Sequence, residues 1–185
     1  LEIIEVDFLD KSTLSKIPMD IDAAYYLIHS MSSSNKNFDE MERLSAQNFT
    51  DQMNKTKVKQ VIYLSGIAND EKLSRHLSSR KNVEMILSKG NFQTTTLRAG
   101  IIVGSGSASF EIIRDLVEKL PLMIAPRWLK TKSQPIAVRN VLEFMSGVLM
   151  NEYAFGRSFD IGGPEILTYK DMLMKFAKVR KLKRT

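Results

Sequence analysis

The chain has 185 residues, 43% of them hydrophobic and 26% charged, with a formal net charge of +6 at pH 7. It is long enough for a core of its own, has no apolar run near the ~18 residues that span a bilayer, opens with no secretory signal, and lacks cysteine, which excludes disulfides and thiolate metal sites. Six basic residues near the end (Lys175, Lys178, Arg180, Lys181, Lys183 and Arg184) match the whole charge excess, complement the negative end of a helix dipole, and come with no nucleic-acid-binding motif.

Leu1–Val6 (LEIIEV) is the first apolar, β-rich run. After it, Asp10 or Ser12 suits the cap of a following helix better than Asp7 does. Ala23–Ile28 (AAYYLI) is the second run. A helix is predicted from Asn37 to Met53, opened by the capping box Asn37…Glu40, with Met41, Leu44, Phe49 and Met53 near one face. Val58–Leu64 (VKQVIYL) is a strand that ends in Ser65-Gly66. The helix Leu73–Leu87 turns Leu77, Val83, Ile86 and Leu87 inward and stops at Gly90. Thr94–Leu97 with Ile101–Val103 forms the next strand, and Ser109 suits the cap of a helix Phe110–Leu120 that ends before Pro121. Pro121–Pro135 is the irregular stretch, projecting from the strand ends. The helix Arg139–Met150, striped by Val141, Leu142, Met145 and Leu149, a weak strand Ser158–Ile161 and the helix Thr168–Leu182 complete the order.

Strand and helix alternate, and the middle strands are apolar throughout, as in parallel strands buried on both faces. The expected fold is α/β, a doubly wound parallel sheet in one domain over residues 1–185, with small substrate-side elements within 105–185. Such folds hold dinucleotide phosphates on a Gly-rich turn after the first strand. The chain has no GxGxxG, and Gly104–Ser107 (GSGS) follows a late strand.

Three features carry candidate chemistry. Ser65 closes a buried strand. His76 and Arg80, four residues apart in HLSSR, share one helix face. Arg127, Trp128, Lys130 and Lys132 form a basic, aromatic-bearing stretch suited to an anionic or phosphorylated small molecule, or else a plain surface loop. The only other histidine, His29, sits at a strand end, and the two make no metal-ligand spacing.

In this order, the residues resemble the short-chain dehydrogenase/reductase superfamily, in its atypical extended branch of NAD(P)H-binding, NmrA-like and epimerase-like proteins. The resemblance runs over nearly the whole chain, from the third strand of that family's sheet onward. It implies a Rossmann-like sheet that is N-terminally incomplete, with about two strands and the Gly-rich turn expected before Leu1. By the same resemblance Asp7 and Phe8 stand where adenine is approached. His29, Ser30 and Met31, within YLIHSM, stand where the phosphates and ribose pass. Ser65 matches the catalytic serine or threonine, and Arg98, Ala99 and Gly100 match the turn beside nicotinamide. Gln134-Pro135-Ile136 and Phe159–Pro164 (FDIGGP) match late landmarks, which makes Trp128, Lys130 and Gln134 the substrate candidates.

The family's Tyr-x-x-x-Lys pair reads His76-Leu-Ser-Ser-Arg80 here. A tyrosine of ordinary pKa about 10 must be acidified to work near neutrality, whereas histidine at about 6.5 needs no such help. Arg80 can donate to ribose hydroxyls but gives up no proton. Three readings stay open: an active proton donor at His76, cofactor contact without chemistry, and a solvated helix face. The implied function is an NAD(P)H-dependent oxidoreductase or nucleotide-sugar epimerase-like protein acting on an unidentified small molecule. The alternative is a non-catalytic NAD(P)-binding sensor or scaffold of the NmrA-like kind. The residues that choose between NADP and NAD follow the family's second strand, so that choice is undetermined. A cytoplasmic chain with no membrane partner and no nucleic-acid partner is expected, and a homo-oligomer is allowed.

Overall fold

The computed structural model describes residues 2–28, 38–67, 75–120 and 127–183, with the side chains at 75–77 and 127 outside that description. They form two compact units: Leu1–Arg98 with Met145–Asp160, and Ala99–Phe144 with Ile161–Thr185. No described helix is long and apolar enough to cross a membrane.

The first unit is built on the strands β1 (Ala23–Tyr26), β2 (Gln60–Gly66), β3 (Gln93–Ala99) and β7 (Ser158–Ile161), hydrogen-bonded in that order. β1 and β2 are parallel, with Ala23 opposite Gln60 and Tyr26 opposite Tyr63. Helices α1 (Phe38–Met53) and α2 (Arg75–Leu87) supply the crossovers that parallel neighbours need, and the fold is α/β and Rossmann-like. Gln60–Tyr63 and Ser65 of β2 are buried, as in a strand covered on both faces. Tyr26, Phe49, Met53, Val61, Tyr63, Val83 and Leu87 share one core cluster. In it the Tyr26 ring meets Phe49 at 4.8 Å and Tyr63 at 5.8 Å between centroids, both edge-on.

Helix α1 departs from its simple apolar stripe. Phe49 and Met53 are buried as expected, but so are Glu42, Ser45, Asn48, Thr50 and Gln52, while Met41 and Leu44 are half-buried. The reason is that α1 packs against both α2 and the 3₁₀ helix Lys11–Lys16, so more than one of its faces is covered. At the other end of the sheet Gln60, fully buried, donates to Thr95 Oγ1 (2.8 Å) and the Val148 carbonyl (2.9 Å). It also accepts from the Met150 amide at 2.6 Å, and the Thr95 hydroxyl donates in turn to the Ala154 carbonyl at 2.7 Å.

The expected strand Leu1–Val6 is not formed: Glu2–Val6 has no regular structure and Ile3 is 88% exposed. A strand exists by its ladder, and no described strand pairs with this run. The chain turns at Asp7, and Asp10 caps the 3₁₀ helix by accepting from the Ser12 amide at 2.9 Å.

In the second unit the chain bends at Gly100, and β4 (Ile102–Val103) pairs in parallel with β6 (Ile136–Ala137) in a sheet of its own. The expected single strand from Thr94 to Val103 is therefore two. Helix α3 (Ala108–Lys119) is capped by Ser107 and not by Ser109, because Gly106 at φ +82 turns the chain two residues earlier than the apolar pattern suggests. Within the irregular stretch lie the 3₁₀ helix Arg127–Lys130 and β5 (Lys132–Ser133), which is antiparallel to β8 (Leu167–Thr168). Helix α4 (Val138–Val148) starts in this unit, with its residues from Met145 on counted in the first, and stops before Met150, which takes φ 53; α5 (Tyr169–Val179) opens with a Thr168–Asp171 capping box. Ile101, Ile113, Val117, Leu129, Met172, Leu173 and Ala177 form the second core.

Candidate functional site

In the first unit, strand alternation sets the site. Tyr63 and Ser65, two apart on β2, point to the same face, and both are buried. The Tyr63 hydroxyl lies against the Arg80 carbonyl at 3.5 Å, and the Ser65 side chain is near enough to act on its pKa. The structure thus brings Ser65 and the Arg80 turn of α2 together through a tyrosine. Burial pushes the Tyr63 hydroxyl up to about 12; Ser65 and Arg80 pull it back only in part, and Glu42 and Glu84 push it further up. A phenol held there stays protonated at neutral pH and donates its hydrogen bond to the Arg80 carbonyl.

Glu42 of α1, 5% exposed, accepts a hydrogen bond from Ser79 Oγ of α2. Its charge also reaches Tyr26, whose hydroxyl is raised first by burial and then by Tyr63 and Glu42. His76 belongs to the first turn of α2, three residues before Ser79 and four before Arg80. Its side chain lies outside the described residues.

The adenine-side candidates form a braced turn. The Asp7 carboxylate accepts from the Leu9 amide at 2.8 Å, and the Asp7 amide and carbonyl both bond Thr13 Oγ1, at 2.9 and 3.0 Å. The Phe8 carbonyl accepts from Asn48 Nδ2 at 2.8 Å, and the Phe8 ring tilts on Phe49 at 5.6 Å. Asn48 is buried, and its Oδ1 is the buried side-chain atom without a hydrogen-bond partner among the described residues. His29, Ser30 and Met31 lie outside the described residues.

Arg98 is held by carboxylates. Its Nε and Nη2 reach the two Glu84 oxygens at 3.2 and 2.7 Å, and its Nη1 is 3.7 Å from Asp160. Ser158 Oγ adds a 2.7 Å bond to Glu84, and Glu84 above all raises the guanidinium pKa. The side chain is therefore occupied by Glu84 and Asp160. Of its neighbours, Ala99 is buried in β3 and Gly100 forms an exposed bend.

In the second unit, Trp128 is half exposed and meets Tyr169 edge-on, 5.4 Å between centroids. Lys130 is exposed, and Gln134 donates to the Gly163 carbonyl at 2.5 Å. Gln134 thus fastens the Gly162-Gly163 turn, where the Gly163 amide also bonds the Pro135 carbonyl at 3.0 Å and a Cβ on Gly163 would strike that carbonyl.

Sequence reasoning missed Tyr63, Glu42 and Ser79. The signal for Tyr63 was its place two residues before Ser65 on one strand face. For Ser79 it was the i+3 step from His76. Glu42 gave no signal, since an acidic residue early in a helix is ordinary dipole chemistry.

No family model matches the sequence, and no curated protein matches it either. Solved structures do match. A mutant UDP-glucuronic acid 4-epimerase from Bacillus cereus, in complex with UDP-4-deoxy-4-fluoro-glucuronic acid and NAD, superposes with a TM-score of 0.77 at 19% identity, over 97% of this chain and 66% of that one. The Bordetella bronchiseptica enzyme WbmF with NAD+ gives 0.78 at 13% identity, over 97% and 65%. A short-chain dehydrogenase/reductase superfamily protein from Agrobacterium tumefaciens with bound NAD gives 0.76 at 14%, over 96% and 71%. The chain has the fold these structures share, and it spans just under two thirds of the length of the first two.

Proposed function

We propose that the chain is part of an NAD(P)-dependent oxidoreductase or epimerase-like protein acting on a small molecule. The observation that carries the reading is the meeting of Ser65 with the Arg80 turn of α2 beside the end of β2, in a fold whose solved examples hold NAD. Asp7 and Phe8 on their braced turn, with Ser65 and Arg80, are the residues that would hold the dinucleotide. The exposed Asp7 carboxylate suits an amino-group donor, and Arg80 suits ribose hydroxyls. The cofactor, when bound, supplies the hydride chemistry. Ser65 donates a hydrogen bond to a substrate oxygen, and His76 takes or gives the proton at that oxygen. Trp128, Lys130 and Gln134 stand for the substrate side.

The test is a titration of NADH and NADPH, followed by nicotinamide fluorescence, into the 185-residue chain and into any longer protein that contains it. Turnover is then measured with His76→Phe. Saturable binding together with turnover lost in His76→Phe supports the reading. Binding with no turnover, and with no effect of His76→Phe, returns the sensor or scaffold alternative. Binding by neither form overturns the dinucleotide reading altogether.

A further inference from the structure

We propose that the second unit carries a binding site for an amphiphilic organic anion, a ligand with one aromatic ring or short alkyl body and a carboxylate or phosphate head. The inference names a substrate class for the Trp128 and Lys130 face and so rests on that part of the proposed function; the dinucleotide does not enter it.

The body of the site is a cavity of about 130 Å³ walled by Ile112, Ile113, Leu116, Trp128, Tyr169 and Leu173. An enclosed apolar cavity of roughly 150 Å³ holds a benzene ring; this slightly smaller slot, which Ser109 also lines and which opens to solvent, suits a short chain or one ring seated partly in its mouth. Two of its walls, Ile112 at 62% and Trp128 at 49%, are open to solvent, which leaves apolar surface that a ligand's body would cover. The Trp128–Tyr169 pair, crossed at 86°, gives the opening a stiff aromatic rim.

The head group follows from the charges around that rim. Lys130 and Lys132 flank Thr131, whose carbonyl accepts from the Tyr169 amide at 3.2 Å, and Lys170 follows Tyr169 directly. All three lysines are exposed, and none makes an ion pair among the described residues. The carboxylates on the same elements are already engaged. Asp171 accepts from the Thr168 amide and hydroxyl in the capping box, at 2.9 and 2.6 Å. Glu165 pairs with Lys175, and Glu111 with Arg114. Three exposed lysines on the segments around Trp128 and Tyr169, of which Lys170 also acts on the already engaged Asp171, favour an anion with an apolar end over a neutral ring or a bare ion.

Trp128 is the single tryptophan of the chain, so its fluorescence reports on this site alone. The experiment titrates phenyl phosphate into the chain without dinucleotide, with phenol and inorganic phosphate in parallel. Phenyl phosphate is expected to saturate the Trp128 signal. Each half-ligand should bind about tenfold more weakly or worse, since each loses one of the two interactions. The triple variant Lys130→Gln, Lys132→Gln, Lys170→Gln should lose the preference for phenyl phosphate over phenol while keeping the native emission spectrum. Ile112→Glu, on an exposed helix face, should abolish binding with the circular dichroism unchanged. No saturable change up to millimolar phenyl phosphate, or equal response to phenol, overturns the proposal. Because nicotinamide binding is read separately, either result leaves the cofactor reading standing or falling on its own titration.

Discussion

The two units of the molecule solve opposite problems with polar residues. The first holds fourteen basic and fifteen acidic residues, and its informative polar groups are inside: Gln60, Thr95, Glu42, Ser79 and Ser65 are all buried. The second holds thirteen basic and six acidic residues, so the net positive charge of the chain belongs to it, on exposed side chains such as Lys130, Lys132 and Lys170. A buried polar group must be partnered or it costs stability, whereas an exposed lysine costs almost nothing and remains available to a ligand. Substitutions of these buried groups should therefore be read in stability, and those around Trp128 in binding.

Gln60 offers the largest contrast. Gln60→Leu leaves the Met150 amide and the Val148 carbonyl without their partner and strips Thr95 Oγ1 of a buried donor, and should cost about 2–4 kcal/mol by chemical denaturation. A loss under about 0.5 kcal/mol would mean that the buried network carries no stability.

The pH dependence comes next. The Tyr63 hydroxyl is raised in the folded state to about 12 from an ordinary 10, chiefly by burial, and Tyr26 is raised in the same direction. A raised pKa gives stability that is fully present below pH 10 and lost as pH climbs through the folded value. For Tyr63 the loss is on the order of 2 kcal/mol. Stability measured between pH 9 and 12 should fall, and Tyr63→Phe should flatten part of that slope.

Glu84→Gln should cost about 1–2 kcal/mol, since it removes the charge from a half-buried fork that Arg98 and Ser158 share. The smallest effect belongs to the second unit, where Lys170→Gln should change stability by less than about 0.5 kcal/mol while weakening the response of Trp128 to phenyl phosphate.

How much of this was legible in the sequence differs between elements for physical reasons. The run around Val61 and Ile62 declares a buried parallel strand because it is apolar on both faces, and the helices around it follow from their periodicity. Leu1–Val6 misled because β-propensity describes a residue's fit to a sheet and says nothing of whether a neighbouring strand is there. α1 misled because a second helix covers its polar side, a tertiary fact that no 3.6-residue pattern contains. At the candidate site, Arg80 could be named from its spacing within HLSSR, and Ser65 from its place at a strand end and from the resemblance. The commitment of Arg98 to Glu84 and Asp160 could not, since these three residues meet only once α2, β3 and β7 are packed. Lys170 escaped notice because it is 38 positions after Lys132, and only the β5–β8 pairing, which sets Lys132 opposite Thr168, brings the start of α5 to that segment.

The most direct test of the dinucleotide reading is hydrogen–deuterium exchange of the protein with and without NADH. Slowed exchange at the Asp7–Ser12 turn, at the end of β2 around Ser65 and at the Arg80 turn of α2 is the predicted result, with the Trp128–Lys132 segment unchanged. Protection only in the second unit, or none at saturating NADH, would contradict it.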